Sequence, residues 1–270
     1  MSIIEAIILG VIQGATEFLP ISSSGHLVLL PTIFDMTQPD LAMVGLVHLG
    51  SLLAVLVYFR RDLWDIVTAV LSGLRHRQPL GTPNARLGWF IVVGCIPAAV
   101  TGFLLEDFFD SVFSQPLWAA FFLLVTAGFL VLGEKLMSSN KTFDTMTWRD
   151  TIVIGLFQAL ALFPGISRSG STIVGGLLRG LDRPQAARYS FLLGVPVILG
   201  AGLLSVVDIA TDPALTTSMG AYVAAFVAAA LVGYLCIYFL LSWVRNHSLY
   251  IFAVYCALLG GGYVLFSLFS

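Results

Sequence analysis

Two stretches decide the reading of this chain: Gln13-Gly-Ala-Thr-Glu17-Phe-Leu-Pro20-Ile-Ser22-Ser23-Ser24-Gly25-His26 and Phe163-Pro164-Gly-Ile-Ser167-Arg168-Ser169-Gly170-Ser-Thr172. Each interrupts an apolar run, the first within residues 3–34 and the second within 151–180. Proline, glycine and serine clusters stop helices. Each region therefore reads as two short helices joined by a polar turn. The surroundings make those turns unusual. The chain has 270 residues, of which 58% are hydrophobic and only 10% charged, and its mean hydropathy is +0.96. Soluble domains carry about 25% charged residues. A surface this poor in charge needs lipid as its solvent.

Apolar runs of about 20 residues, the length that crosses a bilayer, cover 41–59, 87–105, 117–136, 186–207, 219–243 and 249–269. Non-helical backbone at membrane depth is tolerated only when buried in protein or lining a wet cavity. The two interrupted regions are thus expected to be re-entrant hairpins whose tips meet inside the protein. The N-terminus lacks the basic region of a cleavable signal and carries Glu5 instead. The cysteines Cys95, Cys236 and Cys256 sit in apolar runs and read as small core hydrophobes. A net charge of −2 with no basic block excludes a nucleic-acid partner.

Basic residues give the orientation. Arg60, Arg61, Arg75, Arg77 and Arg86 follow the first span, Lys135, Lys141 and Arg149 the third. Arg179, Arg183 and Arg188 follow the second hairpin, and Arg245 separates the last two spans. Asp35 and Asp40, then Glu106, Asp107 and Asp110, then Asp208 and Asp212 occupy the other connections. The positive-inside rule puts the first group in the cytoplasm and the second outside. The exception among the 13 Lys and Arg is Arg168, in a hairpin tip.

The hairpins also match one another without gaps at an offset of 145: Gly10 with Gly155, Gln13 with Gln158, Phe18 with Phe163, Ile21 with Ile166, and Ser22, Ser24 and Gly25 with Ser167, Ser169 and Gly170. Three spans follow each hairpin, and three is odd, so the halves run in opposite directions. The expected fold is an all-α integral membrane protein with an inverted-topology repeat, each half one re-entrant helical hairpin plus three transmembrane helices. It forms a single membrane domain over 1–270, with repeat 1 about 1–136 and repeat 2 about 150–270. Cytoplasmic loops are expected at 60–86 and 135–150, and the stretch 72–86 reads as an ordinary solvated loop. Inverted repeats place a site near the midplane, between broken helices. Gly50, Gly94, Gly102, Gly200 and Gly202 read as close helix contacts.

Glu17 is the carboxylate set well inside an apolar segment. A charge there costs at least about 2.5–3.5 kcal/mol, which marks a functional residue. Gln13, four residues earlier, shares its helix face. His26 follows the serines, and Arg168 sits in the equivalent turn. A guanidinium matches phosphate geometry. Serine-rich turns that open helices offer free N–H groups to anions. A hydroxyl becomes a nucleophile beside a base, and His or Glu can serve as base, acid or metal ligand. The rival readings are N-caps for Ser22 and Ser24 and a structural ion pair for Glu17 and Arg168. His48 reads as a helix-packing hydrogen-bonder or as support for the site.

Both motifs resemble the two signatures of the undecaprenyl-diphosphatase family of the bacitracin-resistance type, and the likeness runs over essentially the whole chain, including His48-Leu-Gly-Ser-Leu-Leu-Ala-Val-Leu-Val-Tyr-Phe-Arg-Arg61. The resemblance implies removal of the terminal phosphate from a C55 polyprenyl diphosphate, which recycles the lipid carrier of wall-polymer synthesis and confers bacitracin resistance. It implies catalytic roles for Glu17, Ser23, His26 and Arg168, with Ser23 as candidate nucleophile. Gln13, Ser22, Ser24, Ser167, Ser169 and Thr172 would surround the diphosphate. Gln13 is a permitted variant in the family's first motif, but it cannot act as a base. A divalent cation, Mg2+ or Ca2+, is implied, with Glu17 as its ligand. The implied place is the bacterial cytoplasmic (inner) membrane, multi-pass, with the site facing the external side. A homodimer is compatible with the sequence. Ser23 or a water as nucleophile, and Glu17 or His26 as base, remain open. So does a polyprenyl-lipid transporter or flippase built on the same repeat.

Overall fold

The computed structural model describes residues 1–105, 108, 115–211 and 219–269; for 201 and 203–211 it describes the backbone alone. Among the described residues there are eleven α-helices: α1 (Ile3–Phe18), α2 (Ser23–Ile33), α3 (Leu41–Tyr58), α4 (Arg60–Arg75), α5 (Pro83–Leu104), α6 (Pro116–Leu136), α7 (Trp148–Leu160), α8 (Arg168–Leu178), α9 (Arg183–Thr211), α10 (Met219–Trp243) and α11 (Tyr250–Phe269). The chain is an all-α, multi-pass membrane protein. Helices α3, α5, α6, α10 and α11 are each long and apolar enough to cross a bilayer. The expected span at 186–207 falls within α9, whose 29 residues give a length of about 44 Å.

The interrupted regions form the two expected hairpins. Helix α1 stops at Phe18 because Leu19 is extended, as a residue before proline prefers. Ser22 then caps α2. Helix α7 ends at Leu160, and Ser167 caps α8. Small residues seat each first limb. A Cβ on Gly14 would lie 2.5 Å from the Ala229 carbonyl oxygen of α10, and one on Gly155 would lie 2.5 Å from the Gly94 carbonyl oxygen of α5. Gly10 approaches Ala225 in the same way. Such close approach is how helices associate in lipid. Large apolar side chains stand on the outer faces, for example Val92, Ile96 and Val100 of α5 and Leu231 and Leu235 of α10, as a lipid-facing surface requires.

The basic connections share one end of the molecule. Asp150 accepts from Lys141 Nζ at 2.8 Å and from Arg179 Nε at 2.7 Å. Arg183 pairs with Glu134, which also takes the Leu249 N–H at 2.9 Å. Arg188 pairs with Asp62. At the other end Tyr222 donates to Asp40 at 2.9 Å. The expected acidic connection at Glu106, Asp107 and Asp110, and Asp212 with the Asp208 side chain, lie outside the described residues.

Two expectations change. The loop expected over 60–86 is helical at 60–75, where α4 packs Ile66 and Val70 onto Gly88 of α5. Its apolar residues recur at helical spacing, a signal that the arginine-rich flanks mask. Gly50, Gly94 and Gly202 do sit at tight contacts, but among the described residues a Cβ on Gly200 would meet nothing and one on Gly102 would meet only Leu162, at ordinary distance.

Burial of Asp150 pushes its carboxyl upward, but hydrogen bonds from Lys141, Thr147 and Arg179 outweigh it and hold the group down to about 2. A depressed carboxyl contributes stability above its unfolded value, near 3.8, and loses it as pH falls toward 2. Asp150→Asn is therefore expected to lower stability at neutral pH by on the order of 1.5–3 kcal/mol. Thermal unfolding in detergent checks this; the deficit relative to the parent protein should close only below pH 4 or so.

Candidate functional site

The two hairpin tips meet, and their turns make the same bonds. Ser22 Oγ accepts from the Gly25 N–H at 3.2 Å, and Ser167 Oγ accepts from Gly170 at 3.0 Å. The Ser22 and Ser24 hydroxyls lie 3.3 Å apart, those of Ser167 and Ser169 3.2 Å. Across the contact, Gly165 N–H donates to Ser24 Oγ at 3.3 Å, and Ser169 Oγ donates to the Leu19 carbonyl at 3.2 Å. Gly165 needs its φ of +97°, and a Cβ there would strike the Ala119 backbone. Both α2 and α8 thus point their N-termini, with the free N–H groups of a first turn, at the junction.

Glu17 is the hub. Its carboxylate is 6% exposed. Oε1 accepts from Arg168 Nη2 at 2.6 Å. Oε2 accepts from Ser23 Oγ at 2.7 Å and from Gln13 Nε2 at 3.0 Å. His48 Nε2 stands 3.6 Å from the same oxygen. His48 Nδ1 donates to the Val44 carbonyl at 2.7 Å, so the ring turns Nε2 toward Glu17. The pair of Glu17 and Arg168 bridges the two hairpins. Chemically, this is a hydroxyl on a carboxylate, with a guanidinium beside both. That is the geometry of an activated nucleophile next to an anion binder.

Arg168 is itself held. Nη1 donates to the Ser190 carbonyl at 3.0 Å, and Thr172 Oγ1 lies 2.6 Å from Ser190 Oγ. Two of the five guanidinium N–H donors are taken up among the described residues, which leaves others for a phosphate. Gly194 makes the room, since a Cβ there would lie 2.6 Å from Arg168 Cζ. Gly194→Ala is expected to fold normally, because the clashing group is the end of a flexible side chain. It should lower turnover by about 10²-fold, the scale of an ångström misplacement. A melting curve matched to the parent protein, paired with an activity assay, checks it; wild-type turnover would remove Arg168 from the reaction.

The other expected residues fall in two places. Ser24 and Ser169 tie the two tips together, Ser22 and Ser167 cap their own helices, and Thr172 is held within α8 and against Ser190 of α9. His26 is turned away from Glu17. Its Nδ1 donates to the Ser22 carbonyl at 2.7 Å, and its Nε2 meets the Tyr255 hydroxyl at 2.7 Å. Ser22 has a φ of +72°, a conformation that costs on the order of 1–3 kcal/mol for a residue with a side chain. His26 and Tyr255 therefore brace the strained residue that aims Ser23. Tyr255, Ser190 and Gly194 were not legible as site residues, because each reaches the hairpin tips through helix packing that no local pattern announces.

A resident divalent cation does not fit this donor set. Both Glu17 oxygens are taken by N–H and O–H donors. Gln13 Oε1 is the nearby oxygen buried without a partner. No group of three His, Cys, Asp or Glu gathers among the described residues. An oxygen-ligand cage needs more than one carboxylate and one amide, unless substrate and water supply the rest.

The chain is similar to known proteins over nearly its whole length. The family described as "Bacitracin resistance protein BacA" matches residues 6–262. An undecaprenyl-diphosphatase of Desulforudis audaxviator is 44% identical over 260 residues, which cover 96% of this chain and 96% of that protein. One from Methanosphaera stadtmanae is 41% identical over 269 residues, 96% of each. One from Myxococcus xanthus is 42% identical over 260 residues, 96% of this chain and 87% of its own.

Proposed function

The chain belongs to the BacA family of bacitracin resistance proteins, and from that premise we infer that it is an undecaprenyl-diphosphate phosphatase: it hydrolyses the lipid diphosphate to undecaprenyl phosphate and inorganic phosphate. The observation that carries this reading is the Ser23–Glu17–Arg168 chain at the meeting of the hairpin tips. Each half-site alone lacks one member: the first hairpin brings the hydroxyl and carboxylate, the second the guanidinium.

The reaction follows from these groups. The diphosphate enters at the junction, its charge met by free N–H donors of Arg168 and the N-termini of α2 and α8. Glu17 Oε2 takes the proton of Ser23 as Ser23 Oγ attacks the terminal phosphorus. The bond from that phosphorus to the bridging oxygen breaks, and undecaprenyl phosphate leaves. Glu17 passes the Ser23 proton to that departing oxygen; water then attacks the phosphoseryl phosphorus and gives a proton to the restored carboxylate, which returns it to Ser23 Oγ as the phosphorus–Oγ bond breaks and phosphate departs. Arg168 stabilises charge on the transferred oxygens in both steps. His48 Nε2 stands beside Glu17 Oε2 and orients it. His26 and Tyr255 hold the Ser22 turn. Gln13 Nε2 orients the carboxylate. A divalent cation, Mg2+ or Ca2+, would enter only as the counter-ion of the diphosphate, where it would offset phosphate charge, and Gln13 Oε1 would be the protein oxygen able to hold it.

The inverted repeat belongs to this reading, supported by the matched bonds of the two turns and by the odd number of spans between them. With the basic connections in the cytoplasm, the N-terminus of α1 and the Asp35–Asp40 connection lie outside, and the site opens outward in a bacterial inner membrane. Phosphate release from a polyprenyl diphosphate in detergent micelles, with and without a chelator, tests the whole reading; a lipid transporter would release none. Ser23→Ala is expected to lose about 10³-fold or more, as expected when a nucleophile is removed. Activity within a few-fold of the parent would instead assign the attack to water.

A further inference from the structure

Helix α4 has an apolar face that the described residues leave bare. Its apolar residues, Leu63, Trp64, Ile66, Val67, Val70, Leu71 and Leu74, fall within one roughly 160°-wide arc. One edge of that arc is used: Ile66 and Val70 pack on Gly88 of α5. The other is not. Trp64 is 70% exposed, Val67 50%, Leu71 60% and Leu74 51%. These four recur at three, four and three residues, one stripe along the helix.

The charges around the stripe are sorted. Arg60, Arg61 and Arg75 stand in or beside it on the side away from α5, all exposed. Asp65 sits one turn from Arg61, on the side of it away from the stripe, and Asp62 is taken by Arg188 of α9. The neighbouring helices also carry exposed apolar side chains. Leu53, Leu56 and Val57 are exposed on α3, which joins α4 at Phe59, and Val92, Ile96 and Val100 are exposed on α5, the helix that α4 packs against.

We propose that α4 lies in the membrane interface at the basic end of the molecule, with Trp64, Val67, Leu71 and Leu74 in the acyl boundary and Arg60, Arg61 and Arg75 bound to anionic lipid headgroups. An in-plane amphipathic helix buries its apolar face about 5–10 Å deep, with basic residues at the headgroups. Tryptophan is at home at that level. Arginines beside an anionic surface are drawn to its headgroups, so three together bias the lipids that surround the enzyme toward acidic ones. A second copy of the chain would cover the stripe too, but it would have to bring three arginines against their own equivalents or an acidic patch of its own.

The test uses the full-length protein in vesicles whose lipids carry bromine on the acyl chains, either near the headgroup or near the chain end. The emission of Trp64 is taken as the difference between the parent protein and Trp64→Phe. Shallow bromines are expected to quench that difference, and deep ones to leave most of it. Brominated phosphatidylglycerol should quench more than brominated phosphatidylcholine at the same mole fraction, and Arg60→Gln with Arg61→Gln and Arg75→Gln should erase that preference. Leu71→Trp in the Trp64→Phe protein provides a second reporter on the same stripe. Emission indifferent to bromine at either depth puts α4 in water or under protein and overturns the proposal. Equal quenching by the two headgroups overturns the role of the arginines.

Discussion

Arg168→Ala is expected to cut phosphate release by about 10³–10⁵-fold, the range seen when a phosphoryl-transfer arginine is removed. The argument rests on place as much as on charge. Arg168 is the first residue of α8, so its guanidinium adds to the positive end of that helix. It reaches over the hairpin junction to Glu17, and the Ser190 carbonyl and the space over Gly194 fix its plane. A diphosphate must therefore meet it to reach Ser23. Alanine has a second effect, because it leaves the Glu17 carboxylate buried without its partner, which costs about 3–5 kcal/mol where a buried pair is broken. Turnover must be normalised to folded protein by thermal unfolding. Arg168→Lys separates the two effects. Lysine restores a positive charge near Glu17 and much of the stability, but it cannot fork onto a phosphate. It should melt close to the parent and still lose most activity, with KM for the diphosphate raised. Parent-like turnover in the lysine variant would make the guanidinium a structural strut.

How much of this site could be read in advance follows from what each residue is doing. Glu17 and Arg168 were legible because a charge inside an apolar segment is costly and needs a reason. Their meeting was legible through the matched turns, since two re-entrant tips at membrane depth must bury their backbone against something. The histidines were harder. Spacing favours His26, three residues past Ser23 on a short helix. The structure gives its Nδ1 to the Ser22 carbonyl one turn back, which folds the ring toward Tyr255 and away from the carboxylate. The imidazole beside Glu17 belongs to His48, delivered by the packing of α3 on α1, and no local pattern announces such a contact. The serines served both readings at once: Ser22 and Ser167 are N-caps, and capping is what turns the first N–H groups of α2 and α8 toward the junction. Helix α4 was present in the periodicity of Leu63, Ile66, Val67, Val70, Leu71 and Leu74. Five arginines over 60–86 suggested solvent instead, although basic residues beside an apolar stripe equally describe a helix at a lipid surface.

Glu17→Gln is expected to lower kcat by about 10²–10⁴-fold, the contribution of a positioned general base, and to do so with a kinetic pattern opposite to that of Arg168→Ala. Glutamine keeps the shape, so Gln13, Ser23 and His48 keep a neighbour of the same size. It loses two properties. It cannot take the Ser23 proton, and it no longer supplies the negative charge that occupies Arg168 Nη2 in the free site. The first loss slows the attack on phosphorus. The second frees a guanidinium that the substrate must otherwise share with a carboxylate, so the diphosphate should bind as tightly as before or more tightly. KM should stay level or fall while kcat collapses, whereas the arginine variants raise KM. A mutation that lowers both has removed an interaction that opposes ground-state binding. Glu17→Asp probes reach: it restores charge and basicity but draws the carboxylate back by one methylene from Ser23 Oγ, now at 2.7 Å. It should recover binding behaviour before rate. Steady-state phosphate release across substrate concentrations in one detergent system measures all three variants. A Glu17→Gln enzyme whose kcat is unchanged would take the base out of this carboxylate. One whose KM rises as steeply as that of Arg168→Ala would show that Glu17 holds Arg168 in its binding position and does not compete for it.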